Sequence, residues 1–128
     1  MGIITRWDDK QQTIVLLEFE TSWTLDDLKQ AVQEADALIS SVDHRVDLLI
    51  DIEDSRMPSD FMGMARVLLA EGEARANEGR RVVVGANMLF RQGYQAVKAA
   101  FRSKLEGREI SFAADRDEGR AILRSLRG

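Results

Sequence analysis

The chain has 128 residues, about the length of one domain, and a hydrophobic content of 45% that is enough for a core. Its 22 acidic and 18 basic residues give a formal net charge of -4, which argues against nucleic acid as the main partner because phosphate binding needs a concentrated basic face. Cysteine is absent, which excludes disulfides and thiolate metal sites and is compatible with the cytoplasm, and no apolar run is long enough to span a membrane.

Two short apolar stretches open the chain. Ile3, Ile4 and Trp7 predict a first strand, and residues 13–20, TIVLLEFE, predict a second strand that is rich in β-branched and aromatic residues. Because the polar break between them is short, we expect an antiparallel hairpin.

A first helix follows the hairpin. Thr24 is its predicted N-cap, and Asp27 stands three residues later in a capping-box-like arrangement. Trp23, just before the cap, could fold back on Leu28 as a hydrophobic staple. The apolar positions recur at helical spacing and predict one buried face: Leu25, Leu28, Val32, Ala35, Leu38 and Ile39.

The middle of the chain carries the stretch from Val46 to Asp51, VDLLID, which is nearly continuous in branched aliphatic residues. Such a run is typical of a parallel strand that is covered on both faces. An acidic, polar loop follows at residues 53–56, and then Pro58, the only proline, and Ser59 predict the start of a second helix. We expect this helix to run to about residue 77, with Gly79 as its C-terminal cap.

The rest of the chain repeats the alternation of strand and helix. Residues 82–84 predict a fourth strand, 88–104 a third helix after an Asn87 cap, and 109–113 a fifth strand. Asp115 is the predicted N-cap of a last helix, with Glu118 three residues later. We expect Ala121, Ile122, Leu123 and Leu126 on its inner side, and Arg116, Arg120, Arg124 and Arg127 on its solvent side.

The order of elements is β-β-α-β-α-β-α-β-α over a single domain, residues 1–128. Strands separated by helices imply right-handed crossovers and a parallel sheet, to which the hairpin adds one antiparallel strand. We therefore predict an α/β fold with a mixed, mainly parallel five-stranded sheet and helices packed on it. In such sheets a ligand or partner binds where strands end and helices begin, so the segment after Asp51 is the candidate site.

The opening hairpin, the helix start WTLDDL at residues 23–28 and the strand VDLLID resemble the STAS domain, the fold of the SpoIIAA-like anti-sigma-factor antagonists. The closing strand, Asp115 and the helix with Glu118 and Ala121 fit the same pattern. The resemblance covers nearly the whole chain, and it implies the STAS fold, a regulatory role and a surface that binds a protein partner.

In the antagonists, a strand that ends in an aspartate leads to an Asp-Ser-Ser-Gly-type helix start, whose serine is phosphorylated by a partner kinase. Counted from Asp51, that helix start falls on residues 58–61, PSDF. The motif itself is absent, because Ser59 and Asp60 stand in reversed order and no glycine follows until Gly63. The resemblance thus implies a divergent branch in which Asp60 could supply a fixed negative charge.

The predicted partner-binding residues are Asp54, Ser55, Met57, Ser59, Asp60, Phe61 and Met64. Ser59 suits an N-cap, whose hydroxyl accepts from a free backbone amide, and it is also a candidate phosphoacceptor at a helix N-terminus. Met57, Met62, Met64 and Met88 either fill the core or form, with Phe61, an adaptable apolar docking patch.

Three functions remain open at this stage. The first is a non-catalytic regulatory module that docks a protein, with an anti-sigma-factor-like kinase as one candidate partner, through residues 54–64. The second is a carrier of a small apolar ligand or lipid, with a pocket between the sheet and the helices bearing Trp23 and Phe90. The third is an enzyme that holds Mg²⁺ on Asp51, Glu53, Asp54 and Asp60.

We rank the docking module first, and we predict no catalytic residue, cofactor or bound metal. His44, the only histidine, lies in a polar turn without a visible nucleophile, which does not suggest hydrolase chemistry. An apolar sheet edge near the hairpin would suit a weak homodimer.

Overall fold

A computed structural model describes residues 2–56, 77–100 and 110–127. The strands are β1 (Ile3–Trp7), β2 (Ile14–Phe19), β3 (Val46–Asp51), β4 (Glu78–Val84) and β5 (Ile110–Ala113). The helices are α1 (Leu25–Ser40), α2 (Met88–Ala100) and α3 (Arg116–Arg127). The predicted second helix, residues 58–77, falls almost wholly outside the described residues.

The five strands form one sheet in the order β1-β2-β3-β4-β5. β1 pairs antiparallel with β2, whereas the pairs β2–β3, β3–β4 and β4–β5 are parallel. The predicted α/β class and the mixed, mainly parallel sheet are therefore confirmed. The bounds predicted for β3 are those observed, because a strand buried on both faces leaves an uninterrupted apolar signal.

Each face of the sheet carries its own apolar cluster, because successive side chains of a strand point to opposite faces. On one face, α1 and α2 cover a cluster that includes Val15, Leu48 and Val83. We call this face the α1 face. On the opposite face, called the α3 face, α3 places Leu123 on Leu16 and neighbouring residues.

Three of the predicted helix N-caps are confirmed. The hydroxyl of Thr24 accepts from the amide of Asp27 at 3.2 Å, and the Asp27 carboxylate accepts from the Thr24 amide at 2.9 Å, which completes the capping box. Asn87 caps α2 by accepting from the amide of Phe90 at 2.8 Å. Asp115 caps α3 by accepting from the amide of Glu118 at 2.8 Å.

The prediction for the start of the fourth strand was wrong. β4 begins at Glu78 and not at Val82, so Gly79 lies in a strand and is no helix cap. The register between β3 and β4 shifts at this point, and the carboxylate of Asp47, which is fully buried, accepts from the amide of Arg80 at 2.7 Å. A polar strand segment with an irregular register lacks the apolar run on which a strand prediction depends.

The prediction for the faces of the last helix was also partly wrong. Leu123 faces the sheet as expected, but Ala121 is exposed, and Arg116 and Arg120 turn towards carboxylates of the strands and the β1–β2 turn. The inner stripe of α3 therefore contains Arg116, Gly119, Arg120 and Leu123, which follow helical spacing. Within the described residues, no helix is both long and apolar enough to cross a membrane.

Candidate functional site

The carboxyl ends of the four mutually parallel strands meet at one edge of the fold. Loops 20–24, 52–56 and 85–87 follow β2, β3 and β4 at this edge, and residues 114–115 follow β5. We call this set of four segments the carboxyl rim. Open α/β sheets bind their ligands at this position, outside the carboxyl ends of their strands.

Loop 52–56, which follows the central strand, is held to the loop after β2. The indole Nε1 of Trp23 donates to the Oγ of Ser55 at 2.6 Å, and the amide of Arg56 donates to the carbonyl of Thr21 at 3.0 Å. Trp23 itself is buried and packs edge-on against Phe19, with 5.1 Å between ring centroids. Loop 52–56, which carries part of the predicted site, is therefore anchored to the core through the buried ring of Trp23.

Loop 85–87 approaches the same segment from the other side. Gly85 has a φ of +77°, and a Cβ placed on it would lie 2.7 Å from the Cα of Glu53, so only glycine fits this close approach of two loops. The amide of Gly85 donates to the carbonyl of Ala113 at 3.0 Å, which ties the end of β4 to the end of β5. Neighbouring loops thus support one another along the rim.

The rim exposes both acidic and apolar groups. The side chains of Glu53, Asp54 and Arg56 are exposed on loop 52–56. Met88, which follows loop 85–87 as the first residue of α2, is 74% exposed, and it is one of two large hydrophobic side chains that are exposed within the described residues. A flexible thioether and carboxylates that are both exposed at this end of the sheet suit a partner with apolar and cationic groups.

Directly beneath the rim, Asp51 joins three elements. Its Oδ1 accepts from the amide of Glu53 at 2.9 Å, and its Oδ2 accepts from the Nε of Arg116 at 2.6 Å. The same guanidinium donates to Glu18, which is the β2 residue paired with Asp51 in the sheet. The hydrogen bonds from Arg116, first to Glu18 and then to Asp51, raise the pKa of the guanidinium, so it stays charged at all physiological pH values.

A second arginine holds α3 at the other end of the sheet. Arg120 donates to both carboxylate oxygens of Asp8, with distances of 2.9 and 2.8 Å, and its Nη1 donates to Asp117 at 3.1 Å. The bidentate hydrogen bond with Asp8 raises the pKa of Arg120. The two arginines therefore position α3 through charge-assisted pairs, a role that the sequence analysis did not assign to them.

The structure places only part of the predicted partner-binding set. Asp54 is exposed on the rim, and Ser55 is there too, but its hydroxyl is engaged by Trp23. The remaining members lie outside the described residues: Met57, Ser59, Asp60, Phe61 and Met64. The role of Ser59 as a phosphoacceptor therefore stays a prediction, as does the apolar patch around Phe61.

The structure also describes residues that the sequence analysis considered for magnesium binding and for hydrolase chemistry. Asp51, one of the four proposed magnesium ligands, has its oxygens occupied by Arg116 and a backbone amide. Within the described ranges, no group of three or more His, Cys, Asp or Glu side chains is arranged to hold a metal ion. His44 is exposed, and its Nε2 lies 2.8 Å from the carbonyl oxygen of Gln12, in the polar turn that the sequence predicted.

Trp23 and Phe90, the two rings expected to border an apolar pocket, both belong to the cluster on the α1 face and are at most 9% exposed. The indole Nε1 of Trp23 donates a hydrogen bond to Ser55, and the ring of Phe90 packs edge-on against Phe112 with 6.2 Å between ring centroids. In this part of the chain they act as core residues, and the carrier function stays a prediction.

Comparison of the chain with family models, with curated proteins and with solved structures finds no match.

Proposed function

We propose that this protein is a non-catalytic regulatory module, resembling the SpoIIAA-like anti-sigma-factor antagonists, that docks a protein partner on the carboxyl rim. The observation that carries the proposal is the exposure of Asp54 on loop 52–56, which hydrogen bonds hold from below, and of Met88 at the start of α2, directly after loop 85–87. A surface of this kind loses little conformational entropy when a partner binds, because its backbone is already ordered by Trp23, Asp51 and Gly85.

Two further features support a docking role. The strand order, with an antiparallel first strand and sequential parallel strands, agrees with the order of elements on which the STAS resemblance was based. The segment that follows loop 52–56 in the sequence contains the predicted contact residues Phe61 and Met64.

The test is an affinity capture with three baits: the wild type, an Asp54→Arg/Met88→Glu rim variant, and an Asp43→Arg control. Asp43 is an exposed aspartate in the turn before β3, at the opposite end of the strand, so its reversal changes the net charge without touching the rim. We expect a protein that is retained by the wild type and the control and lost with the rim variant, and that rebinds when purified. Equal recovery on all three baits, or recovery on none, would contradict the proposal.

A further inference from the structure

The outer side of β1 carries backbone groups that point away from the sheet. The amide of Glu20 donates to the carbonyl of Gly2, and the amide of Asp8 donates to the carbonyl of Ile14, each at 2.8 Å. In an antiparallel ladder, hydrogen-bonded pairs alternate with non-bonded pairs. The even-numbered residues of β1 therefore bond to β2, because the register is uniform along the pair.

The odd-numbered residues Ile3, Thr5 and Trp7 consequently direct their N–H and C=O groups to the outer side. Among the described residues, β1 ends the sheet, and no strand pairs with this side. Natural proteins protect such an edge with charged side chains, proline, a bulge, a covering helix or loop, or a very short strand. β1 has five residues, IITRW, which is an ordinary strand length; it contains no proline, its register with β2 is uniform, and its one charged residue is Arg6.

We propose that β1 is an interface for a second copy of this chain, through antiparallel pairing of the two β1 strands about a two-fold axis at Thr5. In this register Ile3 faces Trp7 of the partner subunit, and Thr5 faces Thr5 of the partner subunit. Each residue whose backbone N–H and C=O point outward then faces a residue of the same kind on the other subunit. The two edges can therefore form backbone hydrogen bonds with each other.

The side chains on the α3 face agree with the same register. Ile4 is 43% exposed and is, with Met88, one of the two exposed large hydrophobic side chains in the described part of the chain. In the pair it lies opposite Arg6 of the partner subunit, whose aliphatic stem can cover it while the guanidinium stays in water. Because Ile4 faces Arg6 of the partner subunit, the two arginines are not directly opposed.

The occupant we propose is a second copy, because this one edge supplies both members of the contact, Ile4 and Arg6, and the two-fold axis repeats it. The axis is perpendicular to the sheet, so the two α1 helices lie on one face and the two carboxyl rims lie at opposite ends of the joined sheet. The dimer thus leaves both rims open, and the interface is independent of the proposed docking function.

Sedimentation velocity over a concentration series up to about 1 mM tests the interface with two substitutions at one exposed position. Ile4→Glu places a carboxylate opposite Arg6 of the partner subunit, and Ile4→Lys places a cation there. Since cross-strand charge pairs act in opposite directions, we expect dimer dissociation constants about fivefold lower for Ile4→Glu and about fivefold higher for Ile4→Lys. Circular dichroism melts establish that both variants fold.

The outcomes separate the proposal from its competitors. Weakening by both substitutions would overturn the register and indicate a contact that needs only the apolar Ile4. A wild type that stays monomeric over the whole series would overturn the interface itself. Neither result bears on the capture experiment at the rim, because Ile4 lies on the sheet edge away from Asp54 and Met88.

Discussion

A single buried carboxylate connects the rim loop, the sheet and α3. The two oxygens of Asp51 serve two different donors, the amide of Glu53 and the guanidinium of Arg116. In Asp51→Asn only one acceptor oxygen remains. The new side-chain NH2 group is a donor, and it would face either the amide of Glu53 or the guanidinium of Arg116, which are donors too. We expect the free energy of unfolding, measured by urea denaturation, to fall by about 2 kcal/mol, the scale of a hydrogen bond to a charged group.

The control for this prediction is the neighbouring carboxylate. Glu18→Gln removes the other charge that faces Arg116, but the Glu18 side chain is 32% exposed and Asp51 is 9% exposed. Water can replace the lost bond at the more exposed position, so we expect a cost of about 1 kcal/mol or less. Equal costs for the two substitutions would show that burial of Asp51 is not what makes it important.

The hydrogen bond between Trp23 and Ser55 should control the order of the rim loop. Trp23→Phe keeps an aromatic ring against Phe19 but removes the indole donor, and Ser55→Ala removes the acceptor. Because either change breaks the same bond, we expect each to increase amide hydrogen exchange in loop 52–56. A double-mutant cycle should give a coupling of about 1 kcal/mol, whereas simple additivity would contradict a stabilising bond.

Residues whose partners are close in sequence could be predicted, and those with distant partners could not. Thr24, Asn87 and Asp115 bond to amides three residues away, so a short spacing rule finds them. Arg116 bonds to carboxylates 65 and 98 residues away. Helical spacing alone places Arg116 on the solvent side of α3, so the sequence analysis did not predict its contact with the two carboxylates.

Among the strands, too, the one with a local sequence signal was predicted correctly and the one without it was not. β3 was predicted with its observed bounds, because burial on both faces demands a continuous apolar run. β4 was predicted too short, since its first four residues, EGRR, carry no apolar signal and pair with β3 through an irregular register. Asp47, buried inside VDLLID, supplies an acceptor for that irregular segment, and no periodicity reports such a contact.

Helix α3 approaches the sheet closely because of one glycine. A Cβ on Gly119 would lie 2.7 Å from the Cδ1 of Leu49, which is fully buried and has little room to move. Alanine favours a helix over glycine by about 1 kcal/mol, but overpacking a core costs about 1–3 kcal/mol. We therefore expect Gly119→Ala to lower the free energy of unfolding by about 1 kcal/mol, measured in urea.

The comparison variant lies on the exposed side of the same helix. Ala121→Gly changes helix propensity alone and should cost about 1 kcal/mol, with no effect on packing. If Gly119→Ala instead stabilised the protein by the amount that Ala121→Gly destabilises it, the close approach of α3 to Leu49 would not constrain the fold.

At the scale of the whole molecule, the alternation of strand and helix predicted a mixed, mainly parallel sheet, because strands separated by helices are joined by right-handed crossovers. What it did not predict is how the helices divide between the faces. α1 and α2 cover one face, and α3 lies on the other. Only contacts between distant residues, such as Leu123 with the β2, β3 and β4 strands, decide that division.

The two clusters are formed by alternate residues of the same strands, so they should unfold together. Leu123 is fully buried on the α3 face, whereas Trp7 and Trp23 lie with the cluster on the α1 face. Leu123→Ala should cost about 3 kcal/mol by leaving a cavity beneath α3. Tryptophan fluorescence and far-ultraviolet circular dichroism should nevertheless give coincident urea transitions, because loss of α3 exposes the strands that support the opposite cluster. If the circular dichroism signal fell at lower urea than the fluorescence signal, α3 would be a separately unfolding unit, and the two faces would not be coupled through the sheet.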